Sequence, residues 1–227
     1  MGQLDKNPIF VVAGTRPEVI KLAPVIEWLE KLNIEYLFIW SGQHYDYELS
    51  RIFFEEFRVP EPDIDLSVGS GSHAEQTARI MLRLEKLIEE YSPPLTIAEG
   101  DTNTVLSVSL ASLKSLVPFG HVEAGLRSWN MLMPEEVNRK VADAIASIHF
   151  APTKQAVINL IFEGVLTDRI YLTGNTIVDV IYKHRNRIRK ESDRILSKYS
   201  VDKDNYILLT LHRRENINNP KRLRNIL

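Results

Sequence analysis

No cysteine occurs among the 227 residues. A disulfide framework, a thiolate zinc site, a thiol nucleophile and an iron–sulfur cluster are excluded on that ground. Long apolar runs are missing too: none approaches the roughly 18 residues that a membrane-spanning helix needs. The opening stretch MGQLDKNPIF leads straight into a strand pattern, without the basic and apolar regions of a secretory leader. These absences predict a cytoplasmic protein with no membrane partner. An excess of one charge is lacking as well, since 28 Lys+Arg and 30 Asp+Glu leave a formal net charge of −2. That balance gives no electrostatic case for nucleic-acid binding. No Gly-x-Ser-x-Gly elbow is present, which argues against an α/β-hydrolase. No His-Glu-x-x-His or closely paired histidines point to a metal, and none is expected.

What is present is an ordinary globular composition, 44% hydrophobic and 26% charged. The length predicts one large domain or one and a half. Short apolar runs alternate with amphipathic stretches. Strands are expected at Ile9–Ala13, Tyr36–Trp40, Leu95–Ala98, Val117–Val122, Ile148–Ala151, Ile170–Leu172 and Tyr206–Leu211. Helices are expected from Pro17, with a kink at Pro24, over 45–57, from the capping box Ser72-x-x-Glu75, at 103–115, from Pro134, near 154–163, from about 176 and from Pro220. The helix after Ser72 is expected to bury Ala78, Met81, Leu82 and Ile88. The helix after Pro134 is expected to bury Val137, Val141, Ala144 and Ile145. Repeated βα alternation with nearly continuous apolar strands predicts a Rossmann-like α/β fold, a parallel sheet covered on both faces by helices.

Charge is uneven along the chain. Residues 1–182 carry 15 basic and 25 acidic side chains, whereas residues 183–227 carry 13 and 5. The basic end reads as a solvated helix with surface charge, or as a face for a polyanion such as a diphosphate.

In open parallel sheets ligands bind beyond the carboxyl ends of the strands. Five such ends carry glycine, titratable or amide residues: Gly14-Thr15-Arg16-Pro17-Glu18, with Lys21 one turn on; Ser41-Gly42-Gln43-His44; Glu99-Gly100-Asp101-Thr102-Asn103; Glu123-Ala124-Gly125-Leu126-Arg127; and His212-Arg213-Arg214-Glu215-Asn216. Together they predict a cleft holding both carboxylates and cations. The turn at Gly14 matches neither the dinucleotide nor the Walker fingerprint, so NAD and Walker-type ATP sites lose support. Its backbone N–H groups beside Arg16 read as an anion site or as a plain βα turn. Asp101 reads as a helix cap or as a catalytic acid. Glu135 and Glu136 read as complements to a helix dipole or as members of a carboxylate cluster. Converging carboxylates would spread their proton affinities and supply an acid and a base at one pH. His121 and His149 read as structural. His212, closing a strand ahead of two arginines, reads as a solvated turn or as a stabiliser of a leaving phosphate.

Eight stretches, in order, resemble the non-hydrolysing UDP-N-acetylglucosamine 2-epimerases: GTRPEVIKLAP (14–24), SGQH (41–44), EGDTNTV (99–105), HVEAGLRS (121–128), MPEEVNRKVAD (133–143), FAPT (150–153), LTGNTIVD (172–179) and LHRREN (211–216). The resemblance implies the N-terminal half of a GT-B-type fold of two Rossmann-like domains. It implies interconversion of UDP-GlcNAc and UDP-ManNAc by elimination and re-addition of UDP, without redox cofactor or metal. By motif position it assigns Asp101, Glu123, Glu135 and His212 to catalysis. Arg16, Lys21, Gln43, His44, Arg127, Arg139, Arg213, Glu215 and Asn216 fall to substrate binding, and a homodimer is implied. Residues 1–175 are then the N-terminal domain, 176–205 a helical linker and 206–227 the start of a truncated second domain. The short loop SWNMLM (128–133) is similar to the branch acting on UDP-2,3-diacetamido-glucuronate. Asp46, standing where regulated members place a second glutamine, gives no support for allosteric control. A GT-B glycosyltransferase and a non-catalytic truncated form are the other readings.

Overall fold

In the computed structural model, which describes residues 7–42, 54, 56–57, 59–211 and 214–227, the apolar runs up to Leu172 become strands of one sheet. They are β1 (Ile9–Ala13), β2 (Tyr36–Trp40), β3 (Ile64–Asp65), β4 (Thr96–Glu99), β5 (Phe119–Val122), β6 (Ile148–Ala151) and β7 (Ile170–Leu172). All seven run parallel in the order β3-β2-β1-β4-β5-β6-β7. The short β3 was not expected, because its residues alternate with acids and carry no apolar run. β1 pairs with β2 on one side and β4 on the other, so the direction of sheet growth reverses there. The carboxyl ends of β1 and β4 flank the crevice that this reversal opens.

The strands read as unbroken apolar runs because both faces of the sheet are buried. In β1, Phe10 and Val12 point into one core with Ile80, Leu84, Val105 and Val108. Val11 and Ala13 point into the other, with Val19, Leu22, Ile26 and Phe38. Helix α1 (Arg16–Lys31) covers the second face and continues through Pro24. Helices α2 (His73–Tyr91), α3 (Asn103–Lys114) and α4 (Pro134–Ile145) cover the first; α5 (Lys154–Phe162) packs beside β6 over a smaller cluster around Ala124 and Leu160.

Two helix faces differ from expectation. α2 buries Ile80, Leu84 and Ile88, while Ala78 and Leu82 are exposed. α4 buries Glu136, Asn138, Ala142 and Asp143, with Val137 and Ala144 exposed. Its polar side is the one turned to the strand ends, so an apolar stripe misidentifies the inward face.

The chain divides into two compact units, residues 1–183 and 184–227. The first holds the whole sheet. Helix α6 spans Thr176–Lys198, and the second unit also contains α7 (Arg214–Ile217) and α8 (Pro220–Ile226). Tyr206–Leu211 was expected to be a strand and is not: no other strand is described in that unit to pair with it, and Ile207 is 94% exposed. The helix expected at 45–57 falls mostly outside the described residues; Phe54, Glu56 and Phe57 are helical.

The turn after β5 touches α5. A Cβ on Gly125, whose φ is +82°, would lie 2.4 Å from the Ala156 carbonyl oxygen. Gly164 has a similar φ of +91° with open space around it. Gly125→Ala should therefore cost about 2–4 kcal/mol, and Gly164→Ala about 1 kcal/mol of backbone strain alone. Urea unfolding of the two variants checks the difference.

Candidate active site

The site grows from the turns that follow β1, β4 and β5. After β1, Thr15 precedes α1 and Glu18 reaches back along the first turn, half of a capping box. Glu18 Oε2 accepts from the N–H groups of Gly14 at 2.6 Å and Thr15 at 2.7 Å. Its Oε1 accepts from the Thr102 hydroxyl after β4. The backbone donors expected to hold a substrate anion thus hold an internal one. Glu18 is fully buried, and burial pushes its carboxyl up to about 7 against the pull of those donors. Arg16, the first helical residue, is exposed.

Lys21, one turn along α1, bridges two carboxyl groups. Its Nζ lies 2.8 Å from Glu99 Oε1, at the end of β4, and 2.6 Å from Glu123 Oε2, just past β5. Asn175 Nδ2 donates to Glu123 Oε1 at 2.7 Å. Glu123 itself stands at φ +70°, a left-handed conformation that a non-glycine residue adopts at a cost and that aims its side chain at this crevice. Burial lifts Glu99 well above the usual carboxylate range, aided by the neighbouring Glu123. Glu123 stays below that range, because hydrogen bonds from Glu99, Lys21 and Asn175 outweigh its own burial.

Asp101 follows the left-handed Gly100. It does not cap α3, for Thr102 does so by accepting from the Thr104 N–H. Asp101 instead pairs with Arg139 of α4, and Asn138 Nδ2 donates to its carbonyl at 2.9 Å. Arg139 also pairs with Glu136 at 2.8 Å. Glu136 accepts from the N–H groups of Ser128 and Trp129 and from the Ser128 hydroxyl, which fixes the loop 128–133. Of the two acids opening α4, the structure buries Glu136 and leaves Glu135 exposed. The inward position therefore belongs to the neighbour of the residue that the motif singled out.

Behind these groups lies a buried hub. Asp143 accepts from His121 Nδ1 at 2.6 Å, Arg127 Nη1 at 2.7 Å and the Gly125 N–H at 2.9 Å. His121 Nε2 faces the Gly100 carbonyl at 2.8 Å, so both ring nitrogens donate and the ring is charged. Asp143 raises the His121 proton affinity despite full burial. Arg127 was expected to bind substrate. Its side chain is instead enclosed and shared between Asp143 and Glu163, so it braces the turn that carries Glu123.

The structure thus brings Lys21 to Glu123 and Arg139 to Asp101 on adjacent strand ends. Gln43, His44, His212 and Arg213, and the side chain of Glu215, lie outside the described residues; Asn216 belongs to α7 of the second unit. Sequence reasoning counted Glu18, Glu99 and Glu136 among the acids at strand and helix ends without assigning them to the site, and gave Asp143 and Asn175 no role. The signal for Glu99 was its place, an acid closing an apolar strand run. Among the described residues no cluster of three or more His, Cys, Asp or Glu is placed to hold a metal ion. Among the described residues no helix is long and apolar enough to cross a membrane.

Fold and site together define a Rossmann-like α/β domain with an acid–base crevice at its topological switch point. The chain belongs to the UDP-N-acetylglucosamine 2-epimerase family, whose model matches residues 27–227. The Methanocaldococcus jannaschii UDP-N-acetylglucosamine 2-epimerase is 45% identical over 96% of this chain and 60% of its own length. The crystal structure of that organism's UDP-GlcNAc 2-epimerase in complex with UDP-GlcNAc and UDP superposes with a TM-score of 0.89 at 44% identity, over 96% of this chain and 60% of the other. The Pseudomonas aeruginosa UDP-2,3-diacetamido-2,3-dideoxy-D-glucuronate 2-epimerase is 36% identical over 96% of this chain and 61% of its length. The chain spans about three fifths of the length of these relatives.

The raised Glu18 carboxyl has a linkage consequence. The folded state binds its proton more tightly than the unfolded state, for which 4.5 is the usual value. Stability from this group is complete below pH 4.5 and is lost as pH rises towards 7. Wild type should fall by roughly 3 kcal/mol across that window relative to Glu18→Gln, in which an amide meets the Thr102 hydroxyl. Urea midpoints of both proteins at several pH values test this; parallel curves would show that Glu18 titrates normally.

Proposed function

We propose that this chain carries the acid–base machinery of a UDP-sugar C2 epimerase acting on UDP-GlcNAc. The observation that carries the reading is the pairing of ionised Glu123 with Lys21 beside Asp101 and Arg139, on adjacent strand ends, in a member of this family. The complex of the M. jannaschii relative with UDP-GlcNAc and UDP supports the substrate class.

The chemistry asks for such a set. The C2 hydrogen is weakly acidic, so a positioned carboxylate must take it. The C2–H electron pair forms the C1=C2 bond of a 2-acetamidoglucal while the C1–O bond breaks and its pair leaves with UDP. Re-addition of UDP oxygen to C1, with a proton delivered to the opposite face of C2, gives UDP-ManNAc. Two carboxyl groups with different proton affinities can serve the two faces; Asp101 and Glu123 form that pair, with Glu135 further out and His212 at the leaving diphosphate. Lys21 and Arg139 balance the charge that the pair gains and loses. Arg16, Gln43, His44, Arg213, Glu215 and Asn216 complete the substrate contacts on this reading. A cytoplasmic setting and the supply of sugar nucleotides for polysaccharide synthesis go with it.

The short loop 128–133, held by Glu136, favours UDP-2,3-diacetamido-glucuronate as a second substrate reading. Each UDP-sugar incubated with the chain in D2O and weighed by mass spectrometry separates the two. A gain of about one mass unit at C2 with the matching epimer is expected for the true substrate. Glu123→Gln should keep the fold and lower incorporation by about 10²–10⁴-fold. Near-normal incorporation in that variant would remove Glu123 from the machinery, and transfer to an acceptor without exchange would indicate a glycosyltransferase.

The homodimer proposal rests on an apolar groove of about 500 Å³ between α2, α3 and α4, lined by Ala74, Met81, Leu106, Pro134 and Val137. A second copy of the same helices would fill it in an isologous contact. Sedimentation velocity should show a dimer that Val137→Asp converts to monomer; a monomeric wild type at micromolar concentration would overturn it.

A further inference from the structure

Glu99 is a second carboxyl group at the crevice, and the chemistry just described does not use it. It closes β4, its side chain is 2% exposed, and it faces Glu123, whose side chain is 14% exposed. The charged groups facing it are Lys21 from α1 and Glu123 from the turn after β5; the strand neighbours on its sheet are apolar. The two carboxyl groups bond to one shared ammonium, at 2.8 and 2.6 Å, which holds them side by side. Two buried carboxylates held this close around a single cation repel each other and leave one charge uncompensated, so one proton on the pair relieves both costs. One ammonium, one carboxylate and one carboxylic acid make a neutral unit, which suits a place so poorly hydrated. The proton belongs on the more buried member. Glu123 is better hydrated and receives an additional donor from Asn175 at 2.7 Å, whereas Glu99 has only the shared lysine and its partner.

We propose that Glu99 is a positioning residue for Glu123: as a carboxylic acid it donates to the Glu123 carboxylate, fixes its orientation and keeps it ionised while Lys21 is shared between them. This inference rests on the reading of Glu123 as an acid–base group. It adds a proton-holding partner that lies outside the Asp101, Glu123 and Glu135 set.

The test is a carbon-detected NMR titration of the 227-residue chain carrying ¹³C at its glutamate side-chain carboxyl groups. Loss of a signal in Glu99→Gln assigns Glu99; should that variant not fold, Glu99→Asp removes the labelled signal and keeps a carboxyl group. The expected result is a Glu99 signal that stays protonated well above the ordinary glutamate range while Glu123 remains ionised. Glu123→Gln should lower the Glu99 midpoint by about one pH unit or more as the like charge departs. A Glu99 signal titrating with the ordinary glutamates overturns the proposal. So does a raised midpoint that Glu123→Gln leaves unchanged, since that is the mark of burial alone. Glu18, which also titrates high, is separated by Glu18→Gln. The titration reads no turnover, so its outcome stands apart from whether the chain epimerises either sugar.

Discussion

A single buried carboxylate decides where the chain goes after β5. Asp143 gathers the His121 ring, the Arg127 guanidinium and the Gly125 N–H, and His121 passes the connection on to the carbonyl of Gly100. The turns after β4 and β5 are thereby tied through one charge on α4. Those are the turns that carry Asp101 and Glu123. Buried ion pairs contribute little net stability against apolar replacements, but losing one partner leaves an uncompensated charge. The hub is best understood as a device that fixes geometry. It holds Glu123 in a left-handed conformation that the local sequence alone would not favour.

In front of the hub, each carboxyl group of the crevice is answered by a different kind of donor. Glu18 has backbone N–H groups, Glu99 and Glu123 share an ammonium, Asp101 has a guanidinium, and Glu136 has both backbone and guanidinium. Such differences in surroundings spread proton affinities among chemically similar groups. Glu18 at about 7 and Glu99 well above the usual range sit beside Glu123 and Glu136, which lie below it. A site assembled only from carboxylates in one environment could not divide acid from base in this way.

The strands from β1 to β7 were legible because a parallel sheet buried on both faces writes itself as apolar runs; β3 was the exception, two residues among acids. The site turns were legible because chemistry gathers at strand ends, and Lys21, Asp101 and Glu123 all stand there. Helix faces were less so. α4 turns Glu136, Asn138 and Asp143 inward, and a polar residue in a helix reads as solvent-facing until its buried partner is known. The partner of Asp143 is twenty-two positions away in His121, and Lys21 meets Glu123 over 102 positions. No local pattern encodes such pairings. Tyr206–Leu211 misled for the complementary reason: propensity was right for a strand, but a strand is a relation between two segments.

That last segment has a practical consequence. Tyr206, Ile207, Leu208 and Leu209 are all more than half exposed, with no charge among them. Short, uncharged, β-prone segments with open backbone groups are templates for intermolecular strand addition and aggregation. The exposed segment is therefore expected to favour association between copies at high concentration. Charges placed at Ile207 or Leu208 would oppose that association, but the segment runs directly into His212–Asn216, so they would also sit beside residues proposed to contact substrate.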